Sequence, residues 1–392
     1  MKNIFRILVL LGAAVFAGCV YEFHPDMERI EGLDMYVLVV EGDIIVGGET
    51  VVKLSYAMPL DMKIPHGEDY YLWKASVWVE DEHGNVWNGI QNQETLTEFR
   101  IDTRDLDEDG TYRLCISLPN DGDYVSEFRK CLSTPAINEF KYTVPEDSTC
   151  VYVEISSHKG GDGTGYYKWS YNEVWHNKPD IMPELDYYTG GLLSYKSQAE
   201  REALANCYRS ENSTDILVAS TENLMEDRII NQRLAAVAAS DNRISKVYMM
   251  AVTQSLIDAQ GYRYWESMKK NTTGTGGLFA PQPSEVRGNI VNVTSENQQV
   301  IGYINVSTVS VDTLFIDGRQ LGIYDASKCY NSIRYYVTPY WQKAYYEEGL
   351  RPVSFMKDEN GYDITTEAQW APVSCVSAEK CVSRPAWWPK ED

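Results

Sequence analysis

The sequence predicts a mainly β chain of two β-sandwich (Ig-like) domains, and three observations carry that expectation. Aromatic residues make up 12% of the chain, with 28 Tyr and 10 Trp, a bias that favours pleated, half-buried surfaces over helices. Apolar and polar residues alternate with period two, as in Val52-Lys53-Leu54-Ser55-Tyr56. Turn signals recur at short intervals: Gly47-Gly48, His83-Gly84-Asn85, Asp109-Gly110 and Asp121-Gly122. At 392 residues the chain exceeds the ~250–300 that one hydrophobic core usually serves, so two domains are expected.

The amino terminus reads as a secretory signal. Lys2 and Arg6 precede the apolar run Ile7 to Phe16, which ends in the small pair Ala17-Gly18 before Cys19. That run is about half the length a membrane-spanning helix needs, so the segment is expected to be removed. Phe16-Ala17-Gly18-Cys19 resembles a lipobox, with Phe16 where leucine is usual, and makes Cys19 the expected lipidated residue. Residues 1–18 are thus read as signal peptide and 19–30 as a lipidated tether to a membrane. The formal charge of −22 disfavours nucleic acid and anionic lipid surfaces as partners.

Residues 31–145 read as the first sandwich, with Tyr36 to Val40, Ser76 to Glu80 and Tyr112 to Leu118 as strands and 143–147 as linker. Residues 146–325 read as the second sandwich, opened by Val151 to Ile155 and Tyr166 to Tyr171. Tyr167, Trp169 and Tyr171 would share one strand face, which suits a core better than a sugar-stacking platform. Helices enter only as insertions: Ser197-Gln198-Ala199-Glu200 is a capping box, and Ser255 is the expected cap of a helix carrying Leu256, Ala259, Tyr262, Trp265 and Met268. Residues 326–392 read as an irregular, aromatic-rich extension, with Trp387 and Trp388 as tail anchors.

Eight cysteines, less Cys19, leave an odd seven. Cys115 and Cys131 flank a turn and are candidates for one disulfide, Cys375 and Cys381 for another, with connectivity left open. Asp105, Asp107 and Asp109 before Gly110 start as calcium loops do. Ile116 stands at the twelfth position where a bidentate Glu belongs, so a solvated acidic turn is the plainer reading and calcium the alternative. The five histidines are scattered, and no G-x-S-x-G elbow, Walker loop or H-E-x-x-H helix occurs, so no enzyme activity and no further cofactor are expected.

Six places, in order along the chain, resemble a family of Bacteroidota outer-membrane lipoproteins known as domain of unknown function 4249. They are Val39 to Gly42; Tyr112-Arg113-Leu114 leading to Gly122 to Ser126; Tyr264-Trp265-Glu266; Gly277-Leu278-Phe279 through Pro283, Gly288 and Asn289; Gly302-Tyr303; and Arg384 to Pro389. The resemblance implies a lipoprotein exposed at the cell surface that accompanies a TonB-dependent outer-membrane receptor and captures or hands over a nutrient. An adhesion or envelope-organising module that binds proteins or glycans is the alternative. Asp147-Ser148-Thr149 and Asp312-Thr313-Leu314 resemble the O-glycosylation motif of that phylum, with Ser148 as the accessible candidate because Thr313 falls in an expected strand.

Overall fold

The computed structural model describes residues 37–57, 72–119, 122–160, 163–188, 192–273, 287–295, 298–337, 341–377 and 380–389. The signal peptide, Cys19 and the 19–30 tether lie outside these residues, as does the Gly277 to Pro283 stretch. The protein is mainly β, as its composition predicts.

The first unit contains β1 (Val37–Glu41), β2 (Ile44–Ile45), β3 (Gly48–Ala57), β4 (Ser76–Asp81), β5 (Val86–Gln91), β6 (Glu98–Thr103), β7 (Thr111–Leu118), β8 (Gly122–Ser126) and β9 (Arg129–Lys130). Period-two alternation sets the inward face: Thr50, Val52 and Leu54 of β3 and Phe99, Ile101 and Thr103 of β6 are buried, while Lys53, Ser55, Arg100 and Asp102 are exposed. The buried threonines satisfy each other at 3.0 Å, and Thr103 also donates to the Ile45 carbonyl at 2.6 Å. Tyr112 holds the turn before β7 in place, its hydroxyl accepting from the Asp107 amide at 2.7 Å and donating to the Asp107 carbonyl at 3.0 Å.

The second unit contains β10 (Ile137–Thr143), β11 (Cys150–His158), β12 (Tyr166–His176), the hairpin β13 (Leu185–Tyr188) and β14 (Leu192–Tyr195), α1 (Gln198–Ala205), β15 (Tyr208–Asn212), β16 (Leu217–Ser220), β17 (Arg228–Ala238), β18 (Val247–Leu256) and α2 (Ala259–Thr273). Three short strands, β19 (Ile290–Asn292), β20 (Val300–Ile301) and β21 (Val306–Ser307), precede β22 (Val309–Asp317). The sheet β10-β11-β17 faces the five-stranded sheet β15-β12-β18-β22, in which β16 also pairs with β12. Val151, Val153 and Val237 from one sheet meet Trp175, Tyr248, Met250 and Ile316 from the other. Tyr167 and Trp169 are buried as their spacing predicts, and Tyr171 is half-buried against the same core.

Two sequence-derived boundaries move. First, β10 pairs with β11, so the 143–147 stretch is a hairpin turn inside the second unit and not a linker. Cys131 still packs in the first core, whereas Leu132 and Ile137 pack in the second, which puts the passage between units near 131–137. Second, the chain returns: β19 pairs with β8, β20 runs parallel to β1, and β21 runs parallel to β2. Apart from the β2–β21 pair, which forms a small sheet of its own, the first unit is therefore built on a ten-stranded sheet, ordered β19-β8-β7-β4-β5-β6-β3-β1-β20 with β9 beside β7. Its end strands β19 and β20 lie against each other, so the sheet is a nearly closed barrel and not a two-sheet sandwich.

The capping box forms as expected, with the Ser197 hydroxyl accepting from the Glu200 amide and the Glu200 carboxylate from the Ser197 amide. Ser255 is not a cap but a residue of β18; Asp258 instead accepts from the Gly261 amide at 2.7 Å at the start of α2.

Residues 326–392 depart most from expectation. They hold α4 (Ser327–Asn331), β23 (Arg334–Val337), α5 (Gln342–Glu347), β24 (Leu350–Lys357), β25 (Asp363–Pro372) and α6 (Val373–Val376), after a short α3 (Gly318–Leu321). The antiparallel sheet β23-β25-β24 buries Phe355, Ala368 and Trp370 with Leu185 from the β13–β14 hairpin. Cys329–Cys375 ties this unit internally, and Cys207–Cys381 ties its tail to the start of β15. The Cys375–Cys381 candidate is thereby replaced, since each cysteine meets a partner far away in sequence. The Cys115–Cys131 candidate fails because Cys115 faces Val125 across the β7–β8 hairpin, while Cys131 follows Lys130, which pairs with Thr111 at the other end of β7. Both remain buried thiols, and Cys150 is the third free cysteine among the described residues. Past Cys381 the tail lays Trp388 over Val174, Tyr208, Val247 and Met249 on the outer face of the five-stranded sheet, whereas Trp387 stays exposed.

Candidate functional site

The acidic run of the first unit does not gather into a metal site. Asp105 accepts from the Trp87 indole at 3.0 Å, Asp107 from the Asp109 amide at 3.0 Å, and Asp109 points to Lys130 at 3.9 Å. The three carboxylates serve the turn separately, and no group of three His, Cys, Asp or Glu among the described residues could hold a metal. Calcium at Asp105, Asp107 and Asp109 is accordingly set aside in favour of the acidic turn.

Ser148 sits exposed at the tip of the β10–β11 turn with φ of +51°, its amide donating to the Pro145 carbonyl at 2.9 Å. Thr313 lies in β22 as expected but is exposed too, because it shares the outer face of the strand with Val311 and Phe315 while Leu314 and Ile316 face the core, so strand position does not hide it.

Some of the residues that carry the family resemblance, Trp265, Gly288, Asn289, Gly302 and Tyr303, meet at the contact between the barrel and α2. Asp43 binds Lys168 of β12 at 2.7 Å and accepts from the Asn305 amide and side chain, and Lys168 lies 4.1 Å above the Trp265 ring. Asn289 bonds the Ile304 backbone in both directions at 2.8 Å. A Cβ on Gly288 would stand 1.6 Å from the Gly302 carbonyl oxygen, so only glycine fits there. Tyr303 donates to Asp258 at 2.9 Å, and Asp258 in turn binds Arg129 at 3.2 Å. Buried or part-buried and largely bonded to one another, these groups lock the returning chain against the second unit, with Arg129 Nε, Trp265 Nε1 and Asn305 Oδ1 left buried without a hydrogen-bond partner among the described residues.

Open space lies at the opposite end of β12, where the second unit meets residues 326–389. A cleft of about 610 Å³ is lined by Asn177, Asp180, Arg209, Asn242, Tyr324 and Lys328, with the Cys329–Cys375 disulfide in its wall. Asn242 donates to Asn177 at 3.1 Å and Tyr324 to Asp180 at 2.6 Å. Burial, with the Asp180 carboxylate beside it, pushes the Tyr324 hydroxyl well above its ordinary pKa and keeps it a donor. Glu173, Arg243 and Tyr248 form a buried cluster behind the cleft, with Arg243 adjoining Asn242 in sequence but none of the three lining the cleft. Arg243 bonds Glu173 at 2.9 and 3.1 Å and Asp241 at 2.9 and 3.1 Å, which raises its pKa against the lowering effect of burial.

A second, narrower cleft of about 210 Å³ shares Ser377 with the first. Asp186, Tyr187, Lys196, Tyr346 and Arg351 line it. Neither cleft was legible in the sequence, since both are built by the segment read as irregular. The two disulfides join residues 174 and 46 apart, and their pairing is a tertiary fact that the cysteines' positions did not disclose.

Among solved structures, the chain is similar at 9% identity to trypsin-activated alpha-2-macroglobulin from Escherichia coli, with a TM-score of 0.18 over 58% of this chain and 15% of that one. A likeness at that level carries nothing about fold or function. No curated protein matches the chain. A family model described as domain of unknown function (DUF4249) matches residues 20–313, which spans all of the barrel and most of the second unit, and the chain therefore belongs to the DUF4249 family.

Proposed function

We propose that this protein is a lipid-anchored envelope protein that captures a small polar ligand in the paired clefts beside α6 and serves as accessory partner to a TonB-dependent outer-membrane receptor. The observation that carries the capture reading is the junction itself. Two adjoining clefts lined by charged, amide and phenolic groups lie between a rigid sandwich and a unit held by two disulfides. The anchor rests on Cys19 after its small residues, and no helix among the described residues is long and apolar enough to cross a membrane. The receptor rests on what the family resemblance implies. Tagged protein expressed at native level and extracted in mild detergent is expected to bring down a TonB-dependent receptor through Cys19-linked acyl chains and body contacts. Extraction that repeatedly yields the protein alone, with its sulfur unacylated, would refute the partnership and the anchor together.

The adhesion reading keeps one supporting observation. Val311, Phe315 and Trp387 are exposed beside one another on the outer face of the five-stranded sheet, with Phe315 and Trp387 rings 6.3 Å apart. A deletion strain that grows normally on every nutrient but no longer attaches to a surface would favour it.

A further inference from the structure

We infer that the narrower cleft is a binding site for the carboxylate of a small monoanionic ligand, with Arg351 as its anchor. The inference rests on the capture reading above and names the ligand chemistry of one of its two clefts.

Arg351 is held before any ligand arrives. Its Nη1 donates to the Leu350 carbonyl at 2.9 Å and to the Tyr346 carbonyl at 3.1 Å, so both Nη1 hydrogens are used. Its guanidinium carbon lies 3.7 Å from the centre of the Tyr346 ring, and that ring stacks at 4.9 Å on Tyr187. What remains is the Nε and Nη2 edge, the fork that takes a carboxylate with two parallel bonds. No carboxylate meets it among the described residues, although acidic residues outnumber basic ones by 57 to 35 in this chain. Arg104, Arg113, Arg129, Arg209, Arg243 and Arg319 each hold an acidic partner, whereas Arg233, like Arg351, stacks on a tyrosine without one among the described residues; what sets Arg351 apart from Arg233 is that it lines a cleft.

Charge decides the ligand class. The other cation of the cleft, Lys196, is neutralised by Asp186, so the cleft carries one unmatched positive charge. One negative charge balances it, whereas a dianionic phosphate would bring an excess into an already acidic protein. A space of about 210 Å³ is smaller than a drug-sized site and suits a single ring or one terminal residue. A sugar acid and the carboxyl terminus of a short peptide both present this chemistry.

Titration calorimetry and saturation-transfer NMR on the purified body, disulfides intact, would test the site with glucuronate, glucuronamide and N-acetylalanine. Glucuronate or N-acetylalanine is expected to bind at least tenfold tighter than glucuronamide. Whichever of the two binds identifies the source of the carboxylate. Arg351→Met is expected to remove binding, and Asp186→Asn, which frees Lys196, to tighten it. Equal affinity for glucuronate and its amide, or no binding of either carboxylate, would overturn the assignment without a variant having to fold. Should natively purified protein release a neutral ligand instead, capture would stand and the carboxylate site would fall.

Discussion

Glu173 is the most informative single position to perturb. It is 5% exposed, near the centre of β12, and its two oxygens accept from Arg243 at 2.9 and 3.1 Å and from the Tyr248 hydroxyl at 2.7 Å. Burial pushes the Tyr248 pKa up, and the Glu173 charge pushes it further, so the tyrosine remains a donor throughout the accessible pH range. Glu173→Gln keeps the shape but removes the charge. A hydrogen bond to a charged group contributes about 1.5–3 kcal/mol, and breaking a buried ion pair costs about 3–5 kcal/mol. Arg243 keeps Asp241 as a partner, at 31% side-chain exposure, so the lower part of that range applies, about 2–3 kcal/mol. For a cooperative unit of ~150–250 residues, each kcal/mol moves the midpoint by roughly 2–4 °C, which gives a fall of about 4–12 °C by calorimetry. Glu173→Leu with Arg243→Met is the companion variant. If the pair specifies the local packing more than it stabilises, the double variant melts within about 1 kcal/mol of the parent while either single change is costly. A Glu173→Gln protein whose midpoint moves by less than a degree would refute this account of the buried cluster.

Three further outcomes are expected. Cys381→Ser opens a loop of 174 residues whose closure contributes about 5 kcal/mol in the chain-entropy limit, and it frees the tail; Trp388 should become open to acrylamide quenching, and unchanged quenching would show that packing alone holds it. Burial pushes the Cys115 thiol up to about 12 and the Cys131 thiol up to about 11, while Cys150 is half-exposed. Iodoacetamide at pH 8 should therefore modify Cys150 and spare the other two until denaturant is added, as peptide mapping would read. Burial pushes Tyr264 up to about 12, so the folded protein keeps a proton that the unfolded chain releases above about pH 10. Its contribution is fully present below that pH and is lost as pH rises toward 12; Tyr264→Phe should flatten the alkaline fall of the melting midpoint, and an unchanged slope would argue against it.

What the sequence determined by itself is local. Period-two alternation in β3 and β6 settles which side chains face inward, because a strand has only two faces. Ser197 and Glu200 define a helix start with no tertiary help, because both partners of the box lie within one turn. Tyr167 and Trp169 are core residues for the same reason of spacing. The family, too, is legible, because its signature residues keep their order along the chain. Only the tertiary structure decided where the chain returns: the sequence marks a strand from Val300, but β19 and β21 are three and two residues, too short to carry a pattern, and the partners β8, β1 and β2 are set by the fold. The same holds for Gly288 and Gly302, whose meaning is a backbone contact between distant segments. The clefts belong to the tertiary level as well. Cys207 with Cys381, and Arg351 with Tyr346 and Tyr187, meet because folding closes long loops, and the energy that selects such pairs is collected only once the intervening chain has packed.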